Sequence, residues 1–579
     1  MPSDSDQRAP GGAGRSGSSG VVPGLRSVPA ETVAEYRRRG WWSDVTMLDE
    51  FLAIAEEQPN APAVVTYHKG RTEPERTTYG ELERASRRCA RALLELGIEV
   101  GDAVSLQLPN CWQVPALVFG ILRIGAVANP LVPIFREREM TFVLNRTESR
   151  VLVVTETFNH FDHATMAAGL RDDVETLEHV LVVGASGRNE PADPAQRLLS
   201  FEDVVLNRDD IDDPTFLAEF DRCRPTADDL VEIQFTSGTT GEPKGVLHSH
   251  NTIRSGCRVI DEVYGLGPGD VCFMASTLAH QTGFGYGMLK PLSMGMAVVY
   301  QDQWDVNQML DAVETEQIVW TVSATAFAMD MIAAQRSRPR DVATFKYFIC
   351  GGAPIPPVVV EEFNRLLDAE LIAVWGMTEN MITTTSRPGD PVELVSDSDG
   401  TPVDWMEIRV LGENGLPVGP GGIGALQSRG PNQALGYFHR PDLYAAASPD
   451  GDWFDTGDVA RLREDHGIRI VGRTKDLVIR GGENIPVAEV EDLLLRHPAV
   501  NDVAVVGLAD DRLGERACAV VTTTDLGLTL GGLTSFLENA GMARQFWPER
   551  LVLQDDMPRT PSGKIQKYQL REQLGRFDS

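Results

Sequence analysis

Short apolar segments alternate with helix-forming segments through residues 103–375, and this alternation constrains the fold more than any other feature. Each apolar segment has the length of a buried strand. Strands that alternate with helices are joined by right-handed crossovers, which produce largely parallel sheets covered by helices on both faces. The sequence therefore predicts a multidomain α/β protein. The predicted strands include residues 151–155, 180–183, 271–275, 297–301, 319–322, 345–350 and 371–375.

One predicted helix carries a signal at each end. Thr78 and Glu81 have the spacing of a capping box. Apolar residues then recur at three- and four-residue steps as far as Leu96, and Gly97 follows. The spacing predicts an amphipathic helix over residues 79–96.

The pattern changes after Thr384. Short strands and tight turns then predict a more antiparallel, β-rich subdomain, with segments at 407–411, 424–429 and 468–471. A small α+β domain is predicted next, with a helix at 488–497 and strands at 503–506 and 517–522. At the other end of the chain, residues 1–28 are rich in Gly, Ser and Pro, and we expect them to form a disordered tail.

The charge and the cysteine content of the chain indicate which partners it can bind and in which cellular compartment it works. The formal net charge of −31 argues against nucleic acid as a partner, because a phosphate backbone attracts a basic face. Small anionic ligands need only a local positive site. The seven cysteines contain no Cys-x-x-Cys pair, which predicts reduced thiols. The chain has no apolar run of membrane-spanning length and no signal pattern at its N-terminus, so we expect a cytoplasmic protein without a transmembrane segment.

The segment 235–245, Phe-Thr-Ser-Gly-Thr-Thr-Gly-Glu-Pro-Lys-Gly, has the composition of a phosphate-binding loop, although such loops taken alone are more often surface turns. Its glycines allow backbone N–H groups to approach an anion, its hydroxyls add donors, and Lys244 adds a positive charge. The P-loop of NTPases needs adjacent Gly and Lys, whereas Glu242 and Pro243 separate them here. The residues assigned to phosphate are Thr236, Ser237, Gly238, Thr239, Thr240, Gly241 and Lys244.

Six further motifs follow this loop in order. They are Gly351-Gly352-Ala353-Pro354, Trp375-Gly376-Met377-Thr378-Glu379, Thr456-Gly457-Asp458, Gly472-Arg473-Thr474-Lys475-Asp476, residues 479–485 and Pro561-Ser562-Gly563-Lys564-Ile565. Together with the loop they resemble the motifs of the adenylate-forming superfamily, which comprises acyl- and aryl-CoA ligases, stand-alone adenylation enzymes and luciferases. The resemblance covers nearly the whole chain after the tail and is strongest to bacterial fatty-acyl- and aryl-CoA ligases.

The resemblance implies a nucleotide site for ATP and AMP. Gly352, Ala353 and Pro354 would lie along the adenine and the acyl pocket. Trp375 would stack on the adenine, where the family more usually has Tyr. Thr378 would hydrogen-bond a nucleotide phosphate. The other residues assigned to the nucleotide are Gly376, Met377, Asp458 and Arg473, and the last two would bind the ribose hydroxyls.

The resemblance also implies the catalytic groups. Glu379 would hold Mg²⁺, a hard cation that prefers carboxylate and phosphate oxygens. Lys564 would contact the nucleotide, the substrate carboxylate and the α-phosphate together. Thr239 is also assigned a catalytic role. His280 would gate the acyl pocket next to Gly352. Amino-acid-activating domains carry an Asp near that position, and its absence discounts amino acids as substrates.

The resemblance also implies two domains that alternate between two relative positions. An AMP-binding domain would span 29–473, a hinge 474–477 and a C-terminal domain 478–579, with Lys475 as the pivot. One arrangement would present Lys564, and the other would present the glycine loop to the pantetheine of coenzyme A. The residues assigned to coenzyme A are Gly481, Gly482 and Glu483.

Two other patterns are interpreted as structural. His248-Ser249-His250 has no third ligand nearby, and we interpret it as the junction of a strand and a helix rather than a metal site. Residues 419–424 fit Gly-x-Gly-x-x-Gly. A dinucleotide site needs a helix at this point, whereas residues 425–428 predict a strand, so the glycines are interpreted as a turn.

The implied reaction joins a medium-chain, alicyclic or aromatic carboxylic acid to coenzyme A through an acyl-adenylate, with release of AMP and pyrophosphate. A stand-alone ligase that loads a carrier protein is the first alternative, because residues 36–42 resemble those of aryl-acid-activating ligases of that kind. A luciferase-like oxidase and a non-enzymatic nucleotide sensor are two further alternatives. The sequence leaves the identity of the acid and the oligomeric state open.

Overall fold

The computed structural model describes residues 25, 26, 28–184, 198–207, 213–236, 243–352, 355–473, 478–480, 483–485, 487–510, 514–525, 527–542, 544–559 and 565–575. It confirms the predicted α/β class, with two large, mainly parallel sheets in the N-terminal domain and a small C-terminal domain.

The first large sheet has nine strands. Its central strands are parallel, and antiparallel strands pair at both edges. Their spatial order is Thr401–Pro402, Met381–Thr385, Glu370–Met377, Tyr347–Cys350, Ile318–Ser323, Val271–Met274, Ala297–Gln301, Pro62–Tyr67 and Glu75–Thr78. Five of the predicted strands lie in this sheet, each within two residues of its predicted bounds.

The second large sheet has eight strands, and two antiparallel strands lie together at one edge of its parallel part. Their spatial order is Gly436–Tyr437, Lys244–Ser249, Leu230–Thr236, Val127–Pro130, Ala103–Gln107, Val151–Thr155, His179–Val183 and Leu199–Ser200. The strand Leu230–Thr236 and its neighbour Lys244–Ser249 flank the predicted phosphate loop.

Helices lie on and between these sheets. The α-helices are Ala30–Arg38, Met47–Glu57, Tyr79–Glu95, Gln113–Arg123, Glu137–Thr147, His163–Leu170, Pro214–Cys223, His250–Cys257, Lys290–Ser293, Val306–Glu316, Thr325–Ser337, Pro357–Leu367, Val392–Ser396, Pro441–Ala447, Val487–Leu494, Leu530–Asn539 and Lys567–Gly575. Wider π-helical turns occupy Glu202–Leu206, Val259–Val263 and Thr282–Leu289, and a 3₁₀ turn occupies Arg544–Phe546. The largest apolar core joins residues of both sheets, such as Val104 and Val298, to the helix residues Leu82 and Phe119.

The predicted helix after Thr78 is confirmed over Tyr79–Glu95. The Thr78 hydroxyl accepts from the Glu81 backbone N–H, and the Glu81 carboxylate accepts from the Thr78 backbone N–H. This reciprocal cap satisfies two donors that the first helical turn leaves unpaired, and such a cap stabilises a helix by about 1 kcal/mol.

Smaller sheets complete the fold. The predicted antiparallel subdomain is confirmed as Glu407–Leu411, Ile423–Arg429, Phe454–Leu462 and Ile468–Arg473. Residues 419–424 lead into a strand that begins at Ile423, and not into a helix, which supports their interpretation as a turn. The C-terminal domain has the strands Glu483–Ile485, Val478–Arg480, Gly514–Thr522 and Asp502–Asp510, with Arg550–Gln554 alongside. Thr157–Phe158 and Phe161–Asp162 form a two-stranded sheet.

Two C-terminal strands are longer than predicted. Asp502–Asp510 and Gly514–Thr522 pair over nine residues each, whereas apolar character alone predicted 503–506 and 517–522. Their polar ends pair across the hairpin, where Arg516 forms an ion pair with Asp510. A prediction based on apolar residues alone misses the polar ends of such strands.

Structured residues begin within the predicted tail of residues 1–28. Leu25 forms a β-bridge with Gly436, and the Arg26 backbone N–H donates to the Leu435 carbonyl over 2.6 Å. Leu25 and Val28 also pack against a buried apolar cluster. These residues are therefore held by the edge of the eight-stranded sheet.

Arg469 joins the β-rich subdomain to the C-terminal domain. Its guanidinium donates to the Asp492 carboxylate over 2.9 Å and lies 3.8 Å from that of Asp399. Burial raises the pKa of Asp492 to about 6, and the nearby Arg469 offsets this only in part. The short Asp492 contact orients the helix Val487–Leu494 against the strand Ile468–Arg473.

Candidate active site

Several predicted site residues lie outside the described residues. They are Ser237, Gly238, Thr239, Thr240, Gly241, Ala353, Pro354, Lys475, Gly481, Gly482 and Lys564. Glu483 is described only as the first residue of the strand Glu483–Ile485. The other predicted residues are described with their side chains.

The two ends of the phosphate loop are held together. Thr236 and Lys244 are paired residues of adjacent antiparallel strands, and the Thr236 hydroxyl donates to the Lys244 carbonyl over 3.5 Å. The Lys244 ammonium lies 4.7 Å from the centre of the Tyr437 ring, within the range of a cation–π contact. The strand pair therefore fixes the mouth of the loop, and Tyr437 holds its lysine.

Tyr437 also binds the predicted metal ligand. Its hydroxyl donates to Oε1 of Glu379 over 2.7 Å, and both residues are buried. Burial and the adjacent Glu379 carboxylate raise the pKa of Tyr437, so the phenol keeps its proton and acts as a donor. Lys244, Tyr437 and Glu379 thus form one continuous group of contacts.

Glu379 stands at the tip of a hairpin between Glu370–Met377 and Met381–Thr385. The Asn380 side chain fixes this tip, because its Oδ1 accepts from the Met377 N–H over 3.1 Å and its Nδ2 donates to Ser428 over 2.9 Å. A Cβ at Gly376 would lie 2.0 Å from the Met381 carbonyl oxygen, so only glycine fits there. Close packing against the Met381 backbone therefore requires glycine at position 376, independently of the predicted nucleotide contact.

His248 positions the predicted phosphate ligand Thr378. Its Nε2 lies 2.7 Å from the Thr378 carbonyl, which can only accept, so Nε2 carries the proton. Its Nδ1 lies 3.0 Å from the Thr252 hydroxyl. Burial lowers the pKa of His248 to about 4, which keeps the ring neutral. Ser249 caps the following helix, in agreement with the predicted junction of strand and helix.

Trp375, Asp458 and Arg473 form a second group of contacts. The Trp375 indole N–H donates to Oδ2 of Asp458 over 2.9 Å, and Arg473 Nε donates to Oδ1 over 3.1 Å. Asp458 and Arg473 are paired residues of adjacent strands. The Trp375 ring is buried in the core of the β-rich subdomain, with Val410, Leu426, Ala460 and Ile468. The predicted ribose ligands are thus adjacent and are tied to the predicted adenine neighbour.

Gly352 has φ 81°, a left-handed conformation that favours glycine. It follows the strand Tyr347–Cys350, which lies parallel to and beside Glu370–Met377. The carboxyl ends of parallel strands meet at one edge of a sheet, which is where ligands bind in open α/β sheets. Gly352 and the Trp375 motif therefore share that edge.

His280 is half-buried and precedes the π-helical turn Thr282–Leu289. Its Nδ1 lies 3.2 Å from the Thr282 hydroxyl. Asn110, which sequence reasoning missed, holds the preceding segment because its side chain accepts from the Leu278 N–H over 2.9 Å and donates to the Ser276 carbonyl over 3.0 Å. The sequence signal that could have identified Asn110 is its position in a Pro-Asn pair shortly after the strand Ala103–Gln107.

The described residues fit a magnesium ion that is shared with a phosphate. They contain no group of three or more His, Cys, Asp or Glu side chains placed to hold a metal by themselves. Mg²⁺ commonly binds through one or two carboxylates plus substrate phosphates and water. Glu379, close to the mouth of the phosphate loop, offers that single carboxylate.

Two general features of the chain also emerge. All seven cysteines are buried as thiols. None of the helices among the described residues is both long enough and apolar enough to cross a membrane.

Comparisons with known proteins match nearly the whole chain. A family model for AMP-binding enzymes matches residues 51–438, and one for the AMP-binding enzyme C-terminal domain matches residues 489–564. The medium-chain fatty-acid–CoA ligase of Escherichia coli (strain K12) is 33% identical over 545 residues, which cover 94% of this chain and 93% of that protein. The salicyl-AMP ligase / salicyl-S-ArCP synthetase of Mycobacterium tuberculosis (strain ATCC 25618 / H37Rv) is 31% identical over 595 residues, which cover 99% of this chain and 98% of that protein. Among solved structures, ATP-bound MatB from Rhodopseudomonas palustris shares the fold with a TM-score of 0.79 at 24% identity, covering 92% of this chain and 100% of that one.

Proposed function

Because the chain belongs to the AMP-binding enzyme family of adenylate-forming acid ligases, we propose that it joins a carboxylic acid to the thiol of coenzyme A. The acid is a medium-chain, alicyclic or aromatic monocarboxylate. The similarity to a fatty-acid–CoA ligase over 94% of this chain supports coenzyme A as the acceptor.

The reaction has two steps. A carboxylate oxygen attacks the α-phosphorus of ATP, the bond to the bridging oxygen breaks, and pyrophosphate leaves. The resulting acyl-adenylate has AMP as its leaving group, whereas the free carboxylate is a poor electrophile. The thiolate of coenzyme A then attacks the carbonyl carbon, and AMP leaves with the electron pair of the broken C–O bond.

The observation that carries this proposal is the contact of Tyr437 with both Glu379 and Lys244, over 2.7 Å to the carboxylate and 4.7 Å to the ammonium. The lysine at the end of the predicted phosphate loop and a single carboxylate thus contact the same tyrosine, and a positive charge and a metal ligand close together suit the polyphosphate of ATP. Mg²⁺, when bound there, supplies positive charge that neutralises the phosphate oxygens. Glu379 is the side chain that would hold it.

The nucleoside would occupy the other group of contacts. Asp458 can accept from ribose hydroxyls, and Arg473 and the Trp375 indole hold its carboxylate in place. Thr378 would donate to a phosphate oxygen, with its backbone held by His248. Gly352, at the same sheet edge, leaves room for the adenine or the acid.

The C-terminal domain would supply the groups that distinguish the two steps. Lys564 would place its ammonium between the substrate carboxylate and the α-phosphate, where negative charge concentrates in the transition state. Residues 481–483 would approach the pantetheine arm in the second step, with Lys475 as the pivot between the two arrangements. His280 would gate the acyl pocket.

Loading of a carrier protein is a second candidate for the thiol acceptor. The similarity to a salicyl-AMP ligase / salicyl-S-ArCP synthetase covers 99% of this chain and favours it. Both candidates share the first step and differ only in the thiol.

Pyrophosphate release tests the proposal. The purified full chain, ATP and Mg²⁺ are incubated with a panel of carboxylic acids, with and without coenzyme A. We expect acid-dependent pyrophosphate release and an acyl-CoA product detected by mass spectrometry. Release with every active acid but no acyl-CoA would exclude coenzyme A, and transfer to an added acyl or aryl carrier protein would then support the second candidate. If no acid releases pyrophosphate, adenylate formation itself is excluded for that panel.

A further inference from the structure

Two carboxylates share the single positive charge of Arg469 where the β-rich subdomain meets the C-terminal domain. Its Nη2 donates to Oδ2 of Asp492 over 2.9 Å, and its Nη1 lies 3.8 Å from Oδ1 of Asp399. The exposed fractions of the side chains of Arg469, Asp492 and Asp399 are 16%, 13% and 11%. The contact between the domains therefore holds two acidic groups and one basic group that are largely removed from water.

This contact satisfies Asp492 only in part. Oδ1 of Asp492 is buried and has no hydrogen-bond partner among the described residues. Asp399 is better held, because the Ile470 backbone N–H donates to its Oδ2 over 2.7 Å. Burial raises the pKa of both carboxyls, and Arg469 offsets this effect incompletely. Asp492 thus loses hydration in this position without full compensation.

Asp492 differs in its contacts from its neighbour Glu491. The Glu491 carboxylate accepts from the Val505 backbone N–H and pairs with Lys567 over 2.7 Å, and both partners belong to the C-terminal domain. Asp492 forms one ion pair with the described residues, and that pair crosses to Arg469 in the other domain. Glu491 therefore stabilises the interior of its domain, whereas Asp492 fixes the position of that domain.

Arg469 belongs to the strand that carries a predicted ribose ligand. Arg473 is the last residue of Ile468–Arg473 and donates to Asp458. The predicted hinge, residues 474–477, follows Arg473 directly in the sequence. This strand thus connects the nucleotide site, the contact with Asp492 and the point where the two domains are joined.

An ion pair of this kind suits a contact that forms and breaks. Buried ion pairs contribute little net stability, because the loss of hydration offsets the attraction between the charges. Loss of one partner costs much more, because the remaining charge stays buried without a counter-ion. Loss of Arg469 would leave both Asp399 and Asp492 in that state for as long as the domains stay in contact.

We propose that Arg469 is a positioning residue that latches the C-terminal domain, through Asp492, to the strand carrying the ribose ligand Arg473, and that this latch opens when the domain changes position during the reaction. We call the position with the Arg469–Asp492 contact the docked position. After release, Asp399 would still hold the guanidinium, so the latch can form again. The role in the reaction rests on the proposed function, whereas the latch itself does not.

Distance measurements on the full chain test the latch without any substrate. All seven native cysteines are buried, so cysteines introduced at the exposed Glu413 of the β-rich subdomain and at the exposed Ser535 of the helix Leu530–Asn539 can be spin-labelled selectively. We expect the otherwise unchanged protein to populate the docked distance. Arg469→Gln should lower the ratio of docked to released molecules by at least about tenfold.

A rescue and a control distinguish a latch from a general loss of structure. Arg469→Gln combined with Asp492→Asn should regain much of the docked population, because the carboxylate left without a counter-ion is neutralised as well. Arg463→Gln is the matched control, since its ion pairs with Asp397 and Asp465 stay within the β-rich subdomain. This variant should keep the docked distance.

A pH series keeps the test decisive if Arg469→Gln does not fold. The pKa of Asp492 is about 6 in the docked position and returns towards the ordinary value of about 3.9 on release, so the docked form binds more protons between these values. Lowering the pH from about 7.5 to about 5 should therefore raise the docked-to-released ratio by up to about tenfold. Asp492→Asn should abolish this dependence. Identical pH dependence in the wild type and in Asp492→Asn would overturn the latch.

The two half-reactions test the role of the latch in the reaction. In Arg469→Gln, the ratio of the rate of adenylate formation to that of thioester formation from supplied acyl-adenylate should change at least about threefold, and in Arg463→Gln it should not change. Coinciding distances in the wild type and in Arg469→Gln overturn the latch whatever the activity. Shifted distances with an unchanged ratio of rates overturn its role in the reaction. Absence of pyrophosphate release with every acid overturns the proposed function, while the distances still decide whether the latch exists.

Discussion

Trp375 donates its indole N–H to the Asp458 carboxylate over 2.9 Å, although 83 residues separate them in the chain. Arg473 engages the other oxygen of the same carboxylate over 3.1 Å. The group proposed to bind the ribose is therefore oriented by the residue proposed to lie beside the adenine. Trp375 has two functions in this arrangement, because its ring also fills the core of the β-rich subdomain.

Trp375→Phe should weaken ATP binding without unfolding the protein. The variant keeps an aromatic ring in the core and removes one hydrogen bond to Asp458, which is worth about 1 kcal/mol. We expect the KM for ATP in the pyrophosphate assay to rise about three- to tenfold. Trp304→Phe is the matched control, since the Trp304 indole also donates to an aspartate, Asp330, over 2.7 Å. An equal rise in both variants would contradict a specific role for the Trp375 contact.

Tyr437→Phe should raise the concentration of Mg²⁺ that the enzyme needs. The variant keeps the ring against Lys244 and removes the hydroxyl that orients Glu379. Removal of a group that orients a metal ligand commonly lowers metal affinity by about 10–100-fold. A magnesium titration of pyrophosphate release at saturating ATP measures the change.

The control for that titration is Tyr444→Phe. The Tyr444 ring lies 5.4 Å from that of Tyr437, and its hydroxyl donates to the Ala434 carbonyl. A magnesium requirement that stays at the wild-type value in Tyr437→Phe would show that the hydroxyl does not orient a metal ligand.

Lys564→Ala should separate the two steps of the reaction. We expect adenylate formation to fall by about 10²–10³-fold, because a preorganised charge at the α-phosphate is lost. Thioester formation from supplied acyl-adenylate should be retained, since we propose that this step uses the other domain arrangement. Single-turnover assays of each half-reaction measure the two rates. Equal loss of both rates would refute the assigned role.

His68→Gln should reduce the loss of stability that occurs on raising the pH from 6.5 to 9. Asp302 and, after it, Glu75 raise the pKa of His68 to about 9. Its folded-state pKa thus exceeds the ordinary value of about 6.5, so the charged ring stabilises the fold fully below pH 6.5 and loses this effect as the pH approaches 9.

The expected difference in the free energy of unfolding is about 1–3 kcal/mol over that range. Denaturant unfolding at pH 6.5 and pH 9 measures it. Burial lowers the pKa of His179, so His179→Gln should retain the wild-type dependence over this range. Identical pH dependence in the wild type and in His68→Gln would contradict the prediction.

Local signals predicted the elements that surround the site. The helix Tyr79–Glu95 begins where Thr78 and Glu81 can cap each other, and that signal is contained in four adjacent residues. Strand bounds were less reliable where polar residues pair across a hairpin, as at Asp510 and Arg516. The hairpin tip with Thr378 and Glu379 was predicted as a motif after a strand, although its holding partner Tyr437 was not.

The amino-acid sequence alone determined the class of fold, the order of the elements and the family of the protein, because periodicity, caps and motifs are properties of neighbouring residues. Tertiary structure decided which distant residues meet: Tyr437 with Glu379, His248 with the Thr378 backbone, and Trp375 with Asp458. These contacts depend on how sheets and turns pack across more than 40 residues of chain, and no local pattern records that packing. Burial of Glu232 is a further property that only the packed fold creates, since the same carboxyl in an exposed strand would be hydrated.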